Sequence, residues 1–559
     1  MTLPRLASAL VTESLVAATY GDDNDRKTAT LSLNGTDLAK IPLISKPILS
    51  GVDTIKLLDP LDVDPSYTDA DLVRIWTQFS SLSGLSEESS ASILSELVSA
   101  SEWFGRDTKD GGAFPTLSSP AIAWEQSVMG GHPTHPMHKT RAPLPPLRLD
   151  PSYNLLHPRL RLIHVPPTSI LTTGPYHDLI APFIARFPTY TVPAGYVPVP
   201  VHELQIAHIA ANFPEAVIHP PAVSYPVEAQ QSLRSIIVPD LDNGLHLKLP
   251  LGIKLTSAVR TISPASAYLG PRFSAQIIPK LTYDRTILTV AEEPVSLIGT
   301  HPDPLVARHL ACLIRQDHTV NSNSRTIDIV CTALVDTSSP QAIFGLITKE
   351  SRVAWLSNYI DILLRAFLPP LIINGVAFEC HPQNTVARFS SEAPHKLVAF
   401  IVRDFGGLKI HPATLLASVS EADLTFVHPA HSILTETIDA VWTRTYHTVV
   451  HNHLQQLIRV MGLHTGGEGY ELLRVHLAKF VPPTHPWFTE PYVEGKCFMR
   501  MRMQGMDRWH LHGPFPNLVL FRGEELGILM EKGDGQSVEK ARADEQVTAL
   551  GPSSWVKVA

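Results

Sequence analysis

Between residues 379 and 407 the chain reads "ECHPQNT", then an apolar run, then "RDFGG". Glu379, His381, Gln383 and Asn384 fall within six residues, and Asp404 follows in front of Phe405, Gly406 and Gly407. A loop with His and Asn, followed by a strand ending in Asp-Phe-Gly, is how phosphoryl-transfer enzymes hold Mg²⁺ against triphosphate oxygens. The aspartate that would take a hydroxyl proton in such enzymes is replaced by Pro382 and Gln383. A carboxamide accepts no proton at neutral pH, so the pattern predicts a Mg·ATP cradle ill-equipped for kinase chemistry. The plain alternative is a buried polar hairpin and a Gly-Gly turn.

Two further stretches could do chemistry. "GHPTHPMHKTR" supplies His132, His135, His138, Lys139 and Arg141. Histidines three apart could ligate zinc, but Pro133 and Pro136 exclude a helix and two cations stand beside them. Cationic donors next to neutral imidazoles fit a polycarboxylate anion better, and a Pro-rich loop without function is the third reading. "KLPLGIKLTSAVRTISPASAYLGPRFS", residues 248–274, offers Ser257, Arg260 and Thr261 as a phosphate cradle without P-loop glycine spacing, or as ordinary half-buried strands. Gly270-Pro271-Arg272 reads as a turn, with Thr282 and Arg285 on the next strand. "KCFMRMRMQG" at 496–505 alternates like a strand with Lys496, Arg500 and Arg502 on a solvated face, and carries no chemical assignment.

The elements that must position these residues are legible in part. Residues 68–105 have helical periodicity with Thr and Ser caps, and 115–151 is a Pro-rich connector. Residues 158–300 break into short β-branched runs. A helix over 351–370 is expected to stop at Pro369 and Pro370, followed by a hairpin around Asn374-Gly375 and a strand "KLVAFIVRDFGG". Past 430 the chain is mostly helical, and the first twenty residues read as a short amphipathic helix instead of a leader.

With 559 residues the chain exceeds a single core, so two or three domains are expected. A net charge of −8 without a basic run argues against nucleic acid and anionic membrane as partners. Four scattered cysteines match no zinc or disulfide spacing and predict buried, reduced thiols in the cytoplasm. No uninterrupted apolar stretch long enough for a bilayer is read, since Asp361, Arg365 and two prolines break the nearest one.

Taken in order, "GHPTHPMHKTR", "KLPLGIKLTSAVRT" with "GPRF", "ECHPQNT", "RDFGG" and "KCFMRMRMQG" resemble the aerobactin-synthetase-like family, the siderophore synthetases that work independently of nonribosomal peptide synthetases. The resemblance implies an α+β, three-part cupped hand: a helical thumb over 1–155, fingers with an antiparallel sheet over 156–335, and a distantly kinase-like palm over 336–559. It implies ATP and Mg²⁺, adenylation of citrate or a related polycarboxylic acid, and transfer of the acyl group to an amine or alcohol. A carboxylate nucleophile is already ionised at neutral pH, which explains a kinase-like cradle without a base. By position, Ser257, Arg260, Thr261, Arg272, His381, Gln383 and Asn384 would bind ATP, and Glu379, Asn384 and Asp404 the metal. His132, His135, Lys139, Arg141, Thr282 and Arg285 would bind the polycarboxylate, with Arg260, His381, Arg285 and His135 acting in catalysis. Two positions depart from the family's pattern: Arg272 replaces Lys, and "PVHELQ" at 200–205 replaces "PVHPWQ". A homodimer is common in the family. The rival readings are a small-molecule kinase and an inactive ligand-binding relative.

Overall fold

The computed structural model describes residues 1–23, 26–48, 54–110, 114–188, 190–239, 241, 244–256, 258–319, 325–336, 340–429, 431–506 and 511–523, a mixture of helix and sheet. Helix Thr2–Thr12 forms where the sequence predicts a short amphipathic helix, and it is buried along its whole length as a core element. A three-stranded antiparallel meander follows: Ala17–Asp23, Arg26–Leu33 and Thr36–Pro42. The helical reading of 1–155 misses it, although the hairpin signal is present: Asn34 and Gly35 both have positive φ, 52° and 78°, as a type I′ turn requires. Helices Asp69–Ser83 and Glu87–Asp110 complete this unit around Ile75, Trp76, Phe79 and Leu97. The capping box of Thr68 and Asp71 starts the first helix, and Gly84 in the left-handed region ends it.

The middle of the chain builds two antiparallel sheets around a shared core. The larger has six strands in the order Glu228–Ala229, Ser235–Ile237, Leu245–Lys248, Ala311–Gln316, Val295–Gly299, Ile170–Thr173. The smaller is centred on Arg159–Val165, flanked by Val197–His202 and by the short strands Val217–Ile218 and Ser224–Pro226. Between them pack Leu162, Phe183, Val199, Leu247, Val295 and Ile314. Gly270-Pro271-Arg272 is no turn; it lies inside helix Pro264–Gln276, where the apolar side of the segment packs against Val295–Gly299.

The third sheet runs in the order Leu288–Val290, Leu397–Val402, Thr385–Ser390, Thr326–Val330, with the first pair parallel and the others antiparallel. Its strands at 288–290 and 326–330 precede residue 336, so this sheet crosses the boundary expected there between fingers and palm. Thr282 and Arg285 lie in the loop before Leu288 and not on a strand.

Helix Lys349–Asn374 covers the third sheet and continues through Pro369 and Pro370. The prolines remove two N–H donors, but packing of Tyr359, Leu363, Phe367 and Leu371 in the core with Phe389 and Phe400 holds the segment helical. Among the described residues this is the one helix long and apolar enough to span a membrane, and most of its apolar side chains pack in that core. Asn374-Gly375 is the helix C-cap and not a hairpin turn: Gly375 has φ +64° and its N–H returns to the Leu371 carbonyl at 3.0 Å.

The hairpin of Tyr492–Lys496 and His512–Pro516 follows the helical region, and "FMRMRM" is a helix, Phe498–Met503, in place of the expected strand. Its N-terminus is satisfied from the other end of the chain. The Glu13 carboxylate accepts from the N–H groups of Met499 and Arg500, both at 2.9 Å, and Met499 packs in the N-terminal core. The four cysteines are buried and unpaired.

Gly375→Ala tests the C-cap. Its Cβ would sit 2.7 Å from Cβ of Thr414 in a left-handed backbone, so a loss of roughly 1–3 kcal/mol is expected. An unchanged urea midpoint would show that the helix end does not depend on this geometry.

Candidate functional site

Strands Thr385–Ser390 and Leu397–Val402 pair Thr385 with Val402, so the "HPQN" turn and "RDFGG" leave the sheet side by side. The turn closes on itself: Asn384 N–H donates to the His381 carbonyl at 2.8 Å and Gln383 N–H to His381 Nδ1 at 3.2 Å. Arg403 donates to the Gln383 carbonyl at 2.8 Å and pairs with Glu125 at 2.5 Å, locking the two segments together. Asp404 has φ +72°, a left-handed conformation that costs a non-glycine residue about 1–2 kcal/mol and that concentrates at functional sites.

Two carboxylates converge there. Asp404 accepts from Gly406 N–H at 3.0 Å and pairs with Lys248 at 2.9 Å. Burial alone would raise its pKa, but Lys248 and Arg234 hold the carboxyl well below the usual range. Glu379 pairs with Arg444 and accepts from the Asn384 amide, each at 3.3 Å. Gly407 lies directly beneath it: a Cβ at 407 would stand 2.0 Å from Glu379 Oε2. The second glycine of "FGG" is therefore the floor on which the carboxylate rests. Glu379 and Asn384 are in hydrogen-bond contact and Asp404 follows the neighbouring strand; their oxygens are hard donors of the kind that could hold Mg²⁺.

A cluster of imidazoles forms around the His381 turn. The ring of His132 lies 4.6 Å from that of His381 and 5.7 Å from that of His135, and Phe498 packs against His132 and His135 at 5.2 and 4.3 Å. Each histidine accepts a backbone N–H two residues ahead on Nδ1: Thr134 to His132 at 3.3 Å, Met137 to His135 at 3.0 Å, and Gln383 to His381. This assigns the proton of each neutral ring to Nε2. Burial, then neighbouring imidazoles and cations, push His132 and His135 well below their ordinary value, and burial with Lys496 pushes His381 down to about 3. His135 Nε2 is buried without a partner, an arrangement that costs about 1–3 kcal/mol and points to a missing acceptor.

Cations complete the cluster. Arg260, lowered to about 9 by burial and Arg234, feels the carboxylates of Asp404 and Glu379 and has no partner at Nε. Lys496, lowered to about 8 by burial and Arg444, has its backbone N–H held by His447 Nδ1 at 3.3 Å and its ammonium over Phe498 at 5.4 Å. Arg141 lies close enough to depress Arg260. Cations and neutral donors thus outweigh the carboxylates, the signature of an anion site.

Several expected site residues lie elsewhere. Buried Lys139 is committed to the partly exposed Asp107 at 2.5 Å and to the Val128 carbonyl, so its charge is neutralised within the fold. Arg272 stacks on Tyr268 at 3.4 Å and donates to Thr173. Thr282 and Arg285 are exposed; the first donates its N–H to Asn374 and the second lies over Tyr283 and bonds to the Pro279 carbonyl. Thr261 contributes its carbonyl, which holds Arg234 at 2.5 Å. Ser257 lies outside the described residues. His138 bonds to Thr2 and to the Gly130 carbonyl, and among the described residues no three His, Cys, Asp or Glu side chains could share a metal ion, so the zinc alternative for this loop has no support. Sequence reasoning missed Lys248, Arg234, Arg444 and Lys496. The only signal for them was a lysine on an apolar strand and another heading the "KCFMRMRMQG" run.

A family model described as the IucA / IucC family matches residues 120–336, and one described as a ferric iron reductase FhuF-like transporter matches 353–508. The chain is 38% identical over 508 residues to an NRPS-independent siderophore synthetase of Rhizopus delemar, covering 86% of this chain and 77% of that protein. It is 24% identical over 381 residues to a D-ornithine–citrate ligase of Staphylococcus aureus, 60% of this chain and 56% of that one. Its fold is similar to that of ATP-bound aerobactin synthetase IucA from Klebsiella pneumoniae, with a TM-score of 0.71 at 14% identity over 93% of this chain and 98% of that one.

The buried imidazoles make stability pH-dependent with a definite sign. His381 is neutral in the folded protein down to about pH 3, whereas in the unfolded chain it protonates below about 6.5. Its contribution is present above pH 6.5 and is lost as pH falls toward 3, at about 1.4 kcal/mol per pH unit. His381→Gln should therefore flatten the fall in unfolding free energy between pH 6 and 4 by about one proton. An unaltered slope would mean that the ring titrates normally in the fold.

Proposed function

The chain belongs to the IucA/IucC family, and on that premise we propose that it is a ligase that activates citrate or a related polycarboxylate as its acyl-adenylate and joins it to an amine or alcohol in siderophore biosynthesis. The observation that carries this reading is the pairing of two carboxylates, Glu379 resting on Gly407 and Asp404 held ionised by Lys248 and Arg234, with neutral imidazoles whose Nε2–H groups can donate and with Arg260, whose Nε has no partner. The named activity of the related D-ornithine–citrate ligase supports citrate as the acid class and an amine as the acceptor class.

Glu379, Asp404 and Asn384 would hold Mg²⁺, which when bound offsets the charge of the triphosphate. Arg260, with Lys248 and Arg234 behind it, would meet the phosphates. His132, His135 and Lys496 would hold the polycarboxylate, orienting one ionised carboxyl toward the α-phosphate. Its attack gives acyl-adenylate and pyrophosphate, and negative charge grows on the phosphoryl oxygens, where His135, His381 and Arg260 donate. No general base is required, consistent with Gln383 standing where a kinase would place Asp. We read the three units as thumb, fingers and kinase-like palm of a cupped hand, with the nucleotide between fingers and palm, and place the reaction in the cytoplasm, where four unpaired cysteines stay reduced.

The test is citrate-dependent pyrophosphate release from ATP and Mg²⁺ with hydroxylamine as acceptor. AMP and pyrophosphate are expected, and Arg260→Ala should lower kcat by a factor on the order of 100 or more. ADP in their place would establish the kinase alternative, and neither product with any acid would leave only ligand binding.

A further inference from the structure

His132 and His135 stand on a loop without helix or strand, residues 130–138, so whatever holds its backbone sets where their rings lie. The base of the loop closes on itself: His138 Nδ1–H donates to the Gly130 carbonyl, and His138 Nε2 accepts from the Thr2 hydroxyl at 3.1 Å. The N–H groups of Met129 and Gly130 both donate to one oxygen of Asp336, at 2.7 and 2.8 Å. Arg5, buried in helix Thr2–Thr12, donates from Nε to the carbonyl of Pro133, the residue after His132, at 2.8 Å. The two charged groups meet over Gly130, where a Cβ would stand 2.0 Å from Asp336 Oδ1 and 2.9 Å from Arg5 Nη2, so only glycine admits both.

Asp336 also ties this loop to the other histidine turn. It ends the short helix Cys331–Asp336, and near the start of that helix Thr332 N–H donates to the Pro382 carbonyl at 3.2 Å. Pro382 follows His381 as Pro133 follows His132. One short helix therefore touches both segments whose rings, His132 and His381, meet at 4.6 Å. Burial lowers Arg5 to about 10 and raises Asp336, and each charge opposes the other's shift. The carboxylates of the site are held by separate contacts, Asp404 by Lys248 and Glu379 by Arg444.

We propose that Arg5 and Asp336 are positioning residues for the polycarboxylate: they hold the backbone of residues 129–133 so that the Nε2–H groups of His132 and His135 stand at a fixed place relative to His381. The inference rests on the ligase reading above, which gives those imidazoles the polycarboxylate. Neither residue needs to touch the substrate; both act through the loop that does. The first helix of the chain is thereby part of the site, although its sequence carries no chemical motif. Because the loop meets the acid and the carboxylates meet the nucleotide, loosening the clamp weakens binding of the acid and leaves binding of ATP in place.

The experiment uses the full chain. Citrate-dependent exchange of pyrophosphate into ATP by the unaltered protein is measured first; its absence overturns the ligase reading, and this inference with it. Arg5→Lys keeps the cation but loses the planar fork that serves a carbonyl and a carboxylate together. It should raise KM for citrate about tenfold or more, with KM for ATP within about twofold and kcat at saturating citrate within about threefold. Asp336→Asn, which reaches the loop from the other side, should show the same split. In a His135→Ala background the effect of Arg5→Lys on KM for citrate should shrink to about threefold or less, because part of what Arg5 positions is gone. An unchanged KM for citrate in both single variants, equal rises for citrate and ATP, or an undiminished effect in the His135→Ala background overturns the proposal. Thermal midpoints accompany each measurement, and loss of the folded chain in both Arg5→Lys and Asp336→Asn would assign the pair to folding alone and overturn it as well.

Discussion

The contact between Lys248 and Asp404 joins the two largest parts of the molecule. Lys248 closes the strand Leu245–Lys248 of the six-stranded sheet, Asp404 follows the strand Leu397–Val402 of the other, and their charges meet at 2.9 Å with Glu293 a further neighbour at 3.5 Å. Removing Lys248 would leave the Asp404 carboxylate without its ion-pair partner, a loss of about 3–5 kcal/mol for a buried pair, whereas removing Asp404 would leave Lys248 to Glu293. The strained backbone of Asp404 is sustained by this over-determination: the lysine fixes one carboxylate oxygen and Gly406 N–H the other. The groups gathered around Asp404 depend on the sheets meeting there.

The same economy governs the imidazoles. A histidine near neutral pH is ordinarily ambiguous in charge and tautomer. Here burial removes the charge, and a backbone N–H two residues ahead fixes Nδ1 as the acceptor for His132, His135 and His381. Proline at 133, 136 and 382 follows each ring, restricting the histidine backbone to the extended region that lets the ring curl back onto the next turn. A fixed array of donors results, suited to developing negative charge without reorganisation.

Segments far apart in the chain support this array. Glu13 caps the helix that carries Phe498, and Phe498 packs the rings of His132 and His135. His447, in a π-helical stretch Tyr446–Leu454, holds the backbone of Lys496. A π-bulge at a functional position is a recurrent association, because the extra residue rotates side chains out of the regular register.

The sequence by itself determined the short-range arrangement: that Glu379, His381, Gln383 and Asn384 share one turn, that a strand leads to Asp404, and that one Pro-rich loop carries His132 and His135. These are readable because proline, glycine and the spacing of a hairpin act within a few residues. It also determined that the middle of the chain is built of short strands, among them Arg159–Val165, Ser235–Ile237 and Leu288–Val290, and that helices occupy 69–83 and 87–110, whose caps and periodicity are local. Tertiary structure decided the rest. Pro369 and Pro370 remain helical because core packing outweighs two lost hydrogen bonds, and Gly375 ends that helix where a hairpin was expected. Lys139 turns inward to Asp107 while Lys496, Lys248 and Arg444 turn to the site, since a cation's role depends on which carboxylate lies within about 4 Å, and no local pattern encodes that distance.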